Sequence, residues 1–319
     1  MRMAIIPAPH AFDLIDTPTP TPAPDEVLVR VAYCGVCLSE IDVWAGTAGV
    51  TAFPRYPGHE VSGVVAAVGV AVTRFKPGDH VAVWLTVRGF ADYVAAKEDY
   101  CLPTGDVPLD LALAEPLACA VNAVTLADVA LGDDVVIIGA GFMGHLLQAL
   151  ITLRGPRHVI VADTRADALT HARALGATRT VNVMEESLRD VILEMTDGRG
   201  ADVSVEVTGA QAPLRVLGDI TRMSGTVAIV GYHQGEDRVI PLGQWNYKAL
   251  HIVNAHFRDE AVILRGMRGG MRLLTTGRIT LDGLVTHRFS LPEIDAAFRM
   301  AHEKPEGFIK ATVAVGAGQ

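Results

Sequence analysis

The 319-residue chain has few cysteines, few aromatic residues and no excess of positive charge. Its four cysteines do not form the disulfide framework of a small secreted protein. A net charge of −9 argues against general binding to nucleic-acid phosphates. Half of the residues are hydrophobic and no low-complexity tract runs for long, which excludes a largely disordered chain.

Signals for membrane insertion and secretion are also weak. The most apolar stretch, Val135 to Ile151, contains three glycines and one histidine, which does not fit a membrane span. The N-terminus carries one positive charge before Pro7 and lacks the pattern of a secretory signal. We therefore expect a soluble cytoplasmic protein with no membrane or nucleic-acid partner, and the length suggests two domains of roughly 150 residues.

The pattern of apolar residues differs between the first third of the chain and the part after Asp133. The first third contains short runs rich in β-branched residues between glycines and prolines, such as Val61 to Val68 and His80 to Trp84. After Asp133, apolar strand patterns alternate with helical patterns, and Val135 to Ile138 suits a strand that is buried on both faces. The sequence predicts an α/β fold in which a β-rich domain accompanies a doubly wound parallel sheet.

A glycine-rich motif follows the first of these apolar strands. Residues 139–144 read G-x-G-x-x-G, open a helical pattern, and are followed nineteen residues later by Asp163 at the end of the next strand. In such a motif Gly139 makes the tight turn, Gly141 lets the backbone approach a pyrophosphate, and Gly144 lets helix and strand pack closely. This context, more than the spacing alone, predicts a dinucleotide site.

The acidic residue after the motif bears on the choice of cofactor. Asp163 is expected to accept hydrogen bonds from the adenosine ribose and to repel a 2′-phosphate, which favours NAD over NADP. Arg165 weakens this preference, because an arginine accommodates a phosphate. The predicted cofactor-binding residues in this region are Gly139, Gly141, Phe142, Met143, Gly144, Asp163 and Arg165.

A second group of residues has the chemistry of a metal site. Cys34 and Cys37 form a C-x-x-C pair, but a structural zinc site needs a second pair, and the other cysteines are isolated in sequence. The segment His59-Glu60 and, much later, Glu115 supply an imidazole and carboxylates. A cysteine, a histidine and a carboxylate make a three-ligand site that leaves zinc one open position.

These motifs, in this order, resemble those of a known enzyme family. They are Cys37-Leu38-Ser39-Glu40, Gly58-His59-Glu60, Lys76-Pro77-Gly78-Asp79-His80-Val81, Glu115-Pro116-Leu117 and the glycine motif. The set resembles the zinc-dependent medium-chain alcohol and polyol dehydrogenases, on their sorbitol and threonine dehydrogenase side. The resemblance implies a GroES-like catalytic domain built from residues 1–120 and 256–319, with a Rossmann domain, 121–255, inserted between them.

The resemblance also implies roles for single residues. Cys37, His59 and Glu115 are the expected zinc ligands, and Glu60 is a neighbouring carboxylate that approaches or replaces a ligand. Ser39 matches the hydroxyl of a proton relay, whereas Asp42 stands where many members carry the relay's outer histidine. The remaining matches concern the cofactor: Gly231 at the turn beneath the nicotinamide, and Lys310 reaching the pyrophosphate.

The implied enzyme interconverts a secondary alcohol and its ketone by hydride transfer to NAD(P). The family's structural-zinc lobe of four cysteines is absent, so we expect one zinc ion per subunit. The family also implies a homodimer or homotetramer. A mixed aromatic and polar pocket wall suits a polyol, sugar, cyclitol or amino alcohol as the small-molecule substrate, and its expected members are Trp84, Phe90, Asn122 and Tyr232.

Two other functions compete with this interpretation. A zinc-free reductase of the quinone-oxidoreductase type should lack the Cys37, His59 and Glu115 set, which this chain has. A non-catalytic dinucleotide-binding protein on the same fold is favoured by one feature, Asp42 in place of the relay histidine. Reduction of the cofactor with a panel of polyols separates an enzyme from such a protein.

Overall fold

The computed structural model describes residues 1–316, in which the chain forms two compact units. The first comprises Met1–Ala118 and the chain from Leu264 onward, and the second comprises Cys119–Ile263. The chain leaves the first unit within the helix Ala114–Ala127 and returns within the helix Glu260–Thr275.

The elements are numbered in chain order. The strands are β1 (Arg2–Ile5), β2 (Asp13–Asp16), β3 (Glu26–Gly35), β4 (Glu60–Val68), β5 (His80–Trp84), β6 (Tyr93–Lys97), β7 (Cys101–Pro103), β8 (Asp134–Ile138), β9 (His158–Asp163), β10 (Arg179–Asn182), β11 (Ala201–Glu206), β12 (Thr221–Ile229), β13 (His251–Asn254), β14 (His287–Ser290) and β15 (Ala311–Ala314). The helices are α1 (Leu38–Trp44), α2 (Ala114–Ala127), α3 (Phe142–Thr152), α4 (Ala166–Ala174), α5 (Leu188–Met195), α6 (Gln211–Ile220), α7 (Leu242–Tyr247), α8 (Glu260–Thr275) and α9 (Ile294–Glu303).

The first unit is built on a mainly antiparallel sheet in the order β14-β15-β3-β4-β5-β7, and β6 also pairs with β3. Strand β3 alternates buried and half-buried residues over its first six positions, so Val27, Val29 and Val31 enter the core. The register places Gly35 of β3 opposite Glu60 of β4, and Glu60 opposite Trp84 of β5. This pairing brings the end of β3 to the start of β4, where the candidate site lies.

The second unit is a six-stranded parallel sheet in the order β10-β9-β8-β11-β12-β13. Its central strand β8 is buried along its whole length, as the continuous apolar run predicts. Counted from β8, the order is 3-2-1-4-5-6, the doubly wound topology whose ligand crevice opens where the order reverses, between β8 and β11. The predicted α/β fold class is confirmed.

One helical segment of the described chain, Leu109–Ala127, is long and apolar enough to cross a membrane by composition alone. However, 61% of it is buried inside the fold. Buried core helices of globular proteins pass the same test, so the segment is weak evidence for a membrane span.

A buried histidine of α3 links the fold of the second unit to pH. His145 is fully buried, and neither of its ring nitrogens has a hydrogen-bond partner among the described residues. Burial, and then the nearby His171, lower the pKa of His145 to about 4, although the charge of Asp163 opposes this. The ring is therefore neutral in the folded protein at neutral pH.

We predict that this histidine makes the second unit sensitive to acid. The unfolded chain protonates His145 near pH 6.5 and the folded chain only near pH 4, so stability is unaffected above pH 6.5. Below pH 6.5 it falls, by about 3 kcal/mol at pH 4. In His145→Leu this contribution disappears, and hydrogen exchange in β8 and β9, compared with wild type at each pH, measures it. The exposed His251→Leu is the control, and equal pH profiles for wild type and His145→Leu would contradict the prediction.

Candidate functional site

Three candidate metal ligands meet at the end of β3 and the start of β4. Cys37 has extended backbone angles and caps the N-terminus of α1, while His59 and Glu60 enter β4. The Cys37 thiol, the His59 ring and the Glu60 carboxylate each offer a donor atom, and these atoms all lie within 4.8 Å of one another. One metal ion could therefore contact all three side chains.

A carboxylate that the sequence analysis assigned no role orients the histidine of this cluster. Glu40, one turn of α1 beyond Cys37, is 9% exposed, and its Oε1 lies 2.9 Å from Nδ1 of His59 and accepts the N–H of Gly58. With Nδ1 facing a carboxylate, the other ring nitrogen would be the one to bind a metal ion, as in the usual carboxylate–histidine–zinc arrangement. The spacing of three residues on α1 was the available signal, because such residues share a helix face.

The electrostatics of the cluster favour a cation. Burial alone would lower the pKa of His59, but the charge of Glu40 and then that of Cys37 outweigh it and hold this pKa well above its usual range. A metal ion bound between these groups would displace the proton that they attract. By contrast, burial and then the charges of Glu40 and Glu60 raise the pKa of the Cys34 thiol, which disfavours its thiolate.

Lys310 lies in this cluster as well, while its expected contact with the cofactor pyrophosphate stays a prediction. Its side chain is buried, and Nζ lies 2.8 Å from Oε1 and 2.7 Å from Oε2 of Glu60 and donates to the Val36 carbonyl at 2.8 Å. Burial would lower the pKa of Lys310, but the charge of Glu60 and then those of Cys37 and Glu115 raise it. The ammonium group thus faces the Glu60 carboxylate and balances its charge.

A glycine fixes the position of the same carboxylate. Gly35 stands opposite Glu60 in the sheet, and a Cβ at this position would lie 2.0 Å from Oε2 of Glu60. Every other residue type would push the carboxylate out of place. Sequence reasoning missed this requirement, because it arises only from the pairing of β3 with β4.

The remaining predicted residues of the catalytic site lie on α1 and α2. Glu115 is in the first turn of α2 and acts electrostatically on Lys310, but its carboxylate is not in the three-residue donor group found among the described residues. Ser39 donates from Oγ to Sγ of Cys37 at 3.3 Å. Asp42 accepts from the Thr47 hydroxyl at 3.5 Å.

The four expected wall residues have different environments. Trp84 is half-buried, pairs with Glu60 across the sheet and packs edge-on against Tyr100. Phe90 is fully buried in the core of the first unit, so its expected place in a pocket wall is corrected to a core position. Asn122 donates to the Val262 carbonyl at 3.1 Å and ties α2 to α8, and Tyr232 is 42% exposed.

The glycine loop of the second unit has the geometry that a dinucleotide site needs. Gly139 has φ +116°, a conformation that favours glycine, and a Cβ at Gly144 would lie 1.9 Å from the Gly139 carbonyl. Gly141 is exposed, with open space where a side chain would stand. Helix α3 begins at the next residue, buried Phe142, with Met143 half-buried behind it, so its positive dipole end faces the loop. These features fit a bound pyrophosphate.

Asp163 lies against this loop. Its Oδ2 accepts the backbone N–H of Ala140 at 2.6 Å and its Oδ1 accepts that of Arg165 at 2.9 Å. The Thr164 hydroxyl also donates to Oδ1, at 3.4 Å, so Oδ2 keeps an acceptor site for a ribose hydroxyl. The Arg165 guanidinium lies 3.7 Å from the carboxylate of Asp167.

Comparison with known proteins adds family relationships to this geometry. Residues 23–108 match the alcohol dehydrogenase GroES-like domain, and residues 143–267 match the family described as zinc-binding dehydrogenase. The sorbitol dehydrogenase of Gallus gallus is 32% identical, over 89% of this chain and 88% of that protein. An L-threonine 3-dehydrogenase of Ruegeria pomeroyi is 28% identical, over 89% and 91%.

Among solved structures, one described as a putative zinc-binding dehydrogenase from Sinorhizobium meliloti bound to NADP is similar over its whole length. Its TM-score is 0.83 and its sequence identity 25%, and 98% of each chain is covered. The two compact units of this chain thus occur together in a protein that binds a nicotinamide dinucleotide.

The buried ion pair of the site makes a testable prediction for the metal-free protein. Lys310→Met leaves the Glu60 carboxylate buried without its counter-charge, and we expect a loss of about 3–5 kcal/mol in the free energy of unfolding. The double variant Glu60→Leu/Lys310→Met removes both charges and should regain most of this stability. Urea unfolding after chelation of metal measures all three proteins.

The exposed pair Arg299–Asp295 on α9 provides the control, since its two charges remain in water. Arg299→Met should cost less than about 1 kcal/mol. Equal destabilisation of the single and double variants would show that the two side chains act through packing and not through their charges.

Proposed function

The chain belongs to the family of zinc-binding, alcohol dehydrogenase-like oxidoreductases, which interconvert alcohols and ketones, and from this premise we propose that it oxidises a polyhydroxylated or amino-substituted secondary alcohol with NAD. The observation that carries the proposal is the convergence of Cys37, His59 and Glu60 on one point. The names of two relatives, sorbitol and threonine dehydrogenase, support this substrate class.

The donor set at this point fits zinc. A thiol, an imidazole and carboxylates are the ligands of catalytic zinc, which keeps one position open for substrate. We assign Cys37, His59 and Glu115 as ligands and Glu60 as the carboxylate that exchanges between Lys310 and the metal. Zinc would supply the Lewis acidity that lowers the pKa of a substrate hydroxyl.

We expect one zinc ion per subunit, because two other cysteines are poor ligands where they lie. Cys34 and Cys101 are buried in the first unit. Burial raises the pKa of the Cys101 thiol to about 12, and that of Cys34 is also raised, so neither favours a thiolate.

The chain's own residues would orient the ligands and move the proton. Glu40 holds the ring of His59, so the metal-facing nitrogen has a fixed direction. Ser39 would accept the hydroxyl proton of the substrate and pass its own proton outward in the same step. Asp42 lies three residues further along α1 on the same helix face, and we assign its carboxylate as the outer end of the relay.

The second unit would bind the cofactor through residues 139–144, with Gly231 at the turn beneath the nicotinamide. Asp163 favours NAD, because its negative carboxylate would repel the 2′-phosphate of NADP. Arg165 lies beside Asp167, which weakens the support that it could give to a phosphate. The nicotinamide would accept the hydride, which is chemistry of the cofactor itself.

The finer features of the protein are part of the same proposal. We assign the catalytic role to the Met1–Ala118 unit with its C-terminal part, and the cofactor role to Cys119–Ile263. Trp84, beside Glu60, Asn122 and the exposed Tyr232 remain the proposed substrate contacts. We further propose a cytoplasmic homodimer or homotetramer.

The function is tested by metal content and turnover in one experiment. Protein purified without added zinc should contain one zinc ion per subunit by elemental analysis, and should reduce NAD with a member of a panel of polyols and amino alcohols. Cys37→Ala should lose both the zinc and the activity, because the thiolate is a ligand. Cys101→Ala is the matched control, since this cysteine lies in the same unit outside the donor group.

The outcomes separate the competing functions. A protein that binds NAD but contains no zinc supports the zinc-free reductase. Zinc bound without turnover of any alcohol in the panel supports the non-catalytic dinucleotide-binding protein. Two zinc ions per subunit would contradict the single-site assignment.

The cofactor preference makes a separate prediction. In Asp163→Asn the carboxylate charge is lost, and we expect the ratio of the Kd values for NADP and NAD to fall about tenfold, equivalent to about 1.4 kcal/mol. Calorimetric titration with both dinucleotides measures the ratio, and Asp190→Asn, which removes an exposed carboxylate of α5 in the same unit, is the control. An unchanged ratio in Asp163→Asn would show that another group selects the cofactor.

A further inference from the structure

A second buried carboxylate–histidine pair lies at the carboxyl edge of the parallel sheet. Glu206 is the last residue of β11 and is fully buried. Its Oε1 accepts the N–H and hydroxyl of Thr208 and the N–H of Gly209. Its Oε2 lies 2.9 Å from Nε2 of His233, in the loop that follows β12.

The other nitrogen of this histidine is an unused acceptor. The His233 side chain is 14% exposed, and its Nδ1 is buried without a hydrogen-bond partner among residues 1–316. Since a carboxylate only accepts, Nε2 carries the proton that faces Glu206, and in the neutral ring Nδ1 offers a lone pair. Buried acceptors in proteins almost always have a hydrogen-bond partner. A bound ligand that donates a hydrogen bond would supply this partner.

Close packing holds the Glu206 carboxylate in place. A Cβ at Gly231 would lie 2.5 Å from Oε2 of Glu206 and 2.3 Å from the Gly209 nitrogen. His256, in the loop after β13, donates from Nε2 to the Gly231 carbonyl at 3.2 Å, and burial, the largest influence, lowers its pKa. Hydrogen bonds thus join the ends of β11, β12 and β13 into one polar cluster.

The position of the cluster indicates which part of a dinucleotide it would meet. A doubly wound sheet binds one mononucleotide on each half, at the carboxyl ends of its strands. Asp163, at the end of β9, belongs to the half that takes the adenosine. The ends of β11 to β13 belong to the other half, which receives the nicotinamide.

We propose that His233, held by Glu206, is a positioning residue for the nicotinamide: its Nδ1 accepts a hydrogen bond from the amino group of the carboxamide. The contact fixes the rotation of the ring and thereby the face that it presents. This inference rests on the proposed binding of NAD, and it gives a role to two residues that the glycine motif and the metal cluster leave unused.

Binding measurements on three ligands test the assignment. NAD carries the carboxamide, its 3-acetylpyridine analogue carries a methyl group in place of the amino group, and ADP-ribose lacks the nicotinamide altogether. His233→Ala should weaken NAD binding about tenfold, as expected for one lost hydrogen bond to a buried acceptor. Binding of the analogue and of ADP-ribose should stay within about twofold of wild type, since neither ligand uses Nδ1.

A conservative variant provides the rescue. In His233→Asn the side-chain oxygen stands as many bonds from the backbone as Nδ1 does, so it supplies an acceptor, and the discrimination between NAD and its analogue should return. The exposed His80→Ala in the first unit is the control for loss of a histidine. The nitrogen NMR signal of His233 gives a readout that does not depend on a variant, and Nδ1 should shift on addition of NAD and not on addition of the analogue.

Other outcomes would overturn either the carboxamide contact or the proposed function. An equal loss of affinity for NAD and for the analogue in His233→Ala, or an unshifted Nδ1 signal with NAD, overturns the carboxamide contact while the proposed cofactor stands. Failure of the wild-type protein to bind either NAD or ADP-ribose overturns the proposed function itself.

Discussion

The buried ion pair between Glu60 and Lys310 is the contact on which the candidate metal site depends. Two charges are removed from water at this point, which is tolerable only because each faces the other and Lys310 also donates to the Val36 carbonyl. The pair joins β4 to the segment that leads into β15, so it brings distant parts of the chain to the donor cluster. The Glu60 carboxylate consequently lies near Cys37 with its charge balanced by Lys310, even without a metal ion.

In the second unit, glycines allow the close packing of backbone segments and the approach of a ligand to the backbone. At Gly139, Gly144 and Gly231 a side chain would collide with a neighbouring loop or carboxylate, whereas at Gly141 the space is open. The first three let strand ends and helix pack closely, and the last leaves room for the ligand. The order of the strands then separates two halves, each of which ends in a buried or half-buried carboxylate.

The features that depend on residues close together in sequence were predicted from the sequence. The apolar run of β8, the glycine motif and Asp163 are close in sequence, and their arrangement follows from strand–turn–helix geometry, so the fold class was predicted from sequence. The contact of Lys310 with Glu60 was not predicted, because the two residues lie 250 positions apart in sequence. Phe90 was misplaced because a core position and a pocket wall look alike in sequence. Glu206 and His233 meet only once β11 and β12 are adjacent.

The structure contains two carboxylate–histidine pairs, Glu40–His59 and Glu206–His233. The groups around each pair determine which kind of ligand its histidine suits. In both, a carboxylate lies 2.9 Å from one ring nitrogen and directs the other nitrogen toward its own partner. Around His59, the Cys37 thiol and the Glu60 carboxylate also converge, so three side chains of the types that bind zinc share one point. At His233, the charge of Glu206 is already met by the donors of Thr208 and Gly209. The remaining lone pair there suits a neutral hydrogen-bond donor, which an amide is and a metal ion is not.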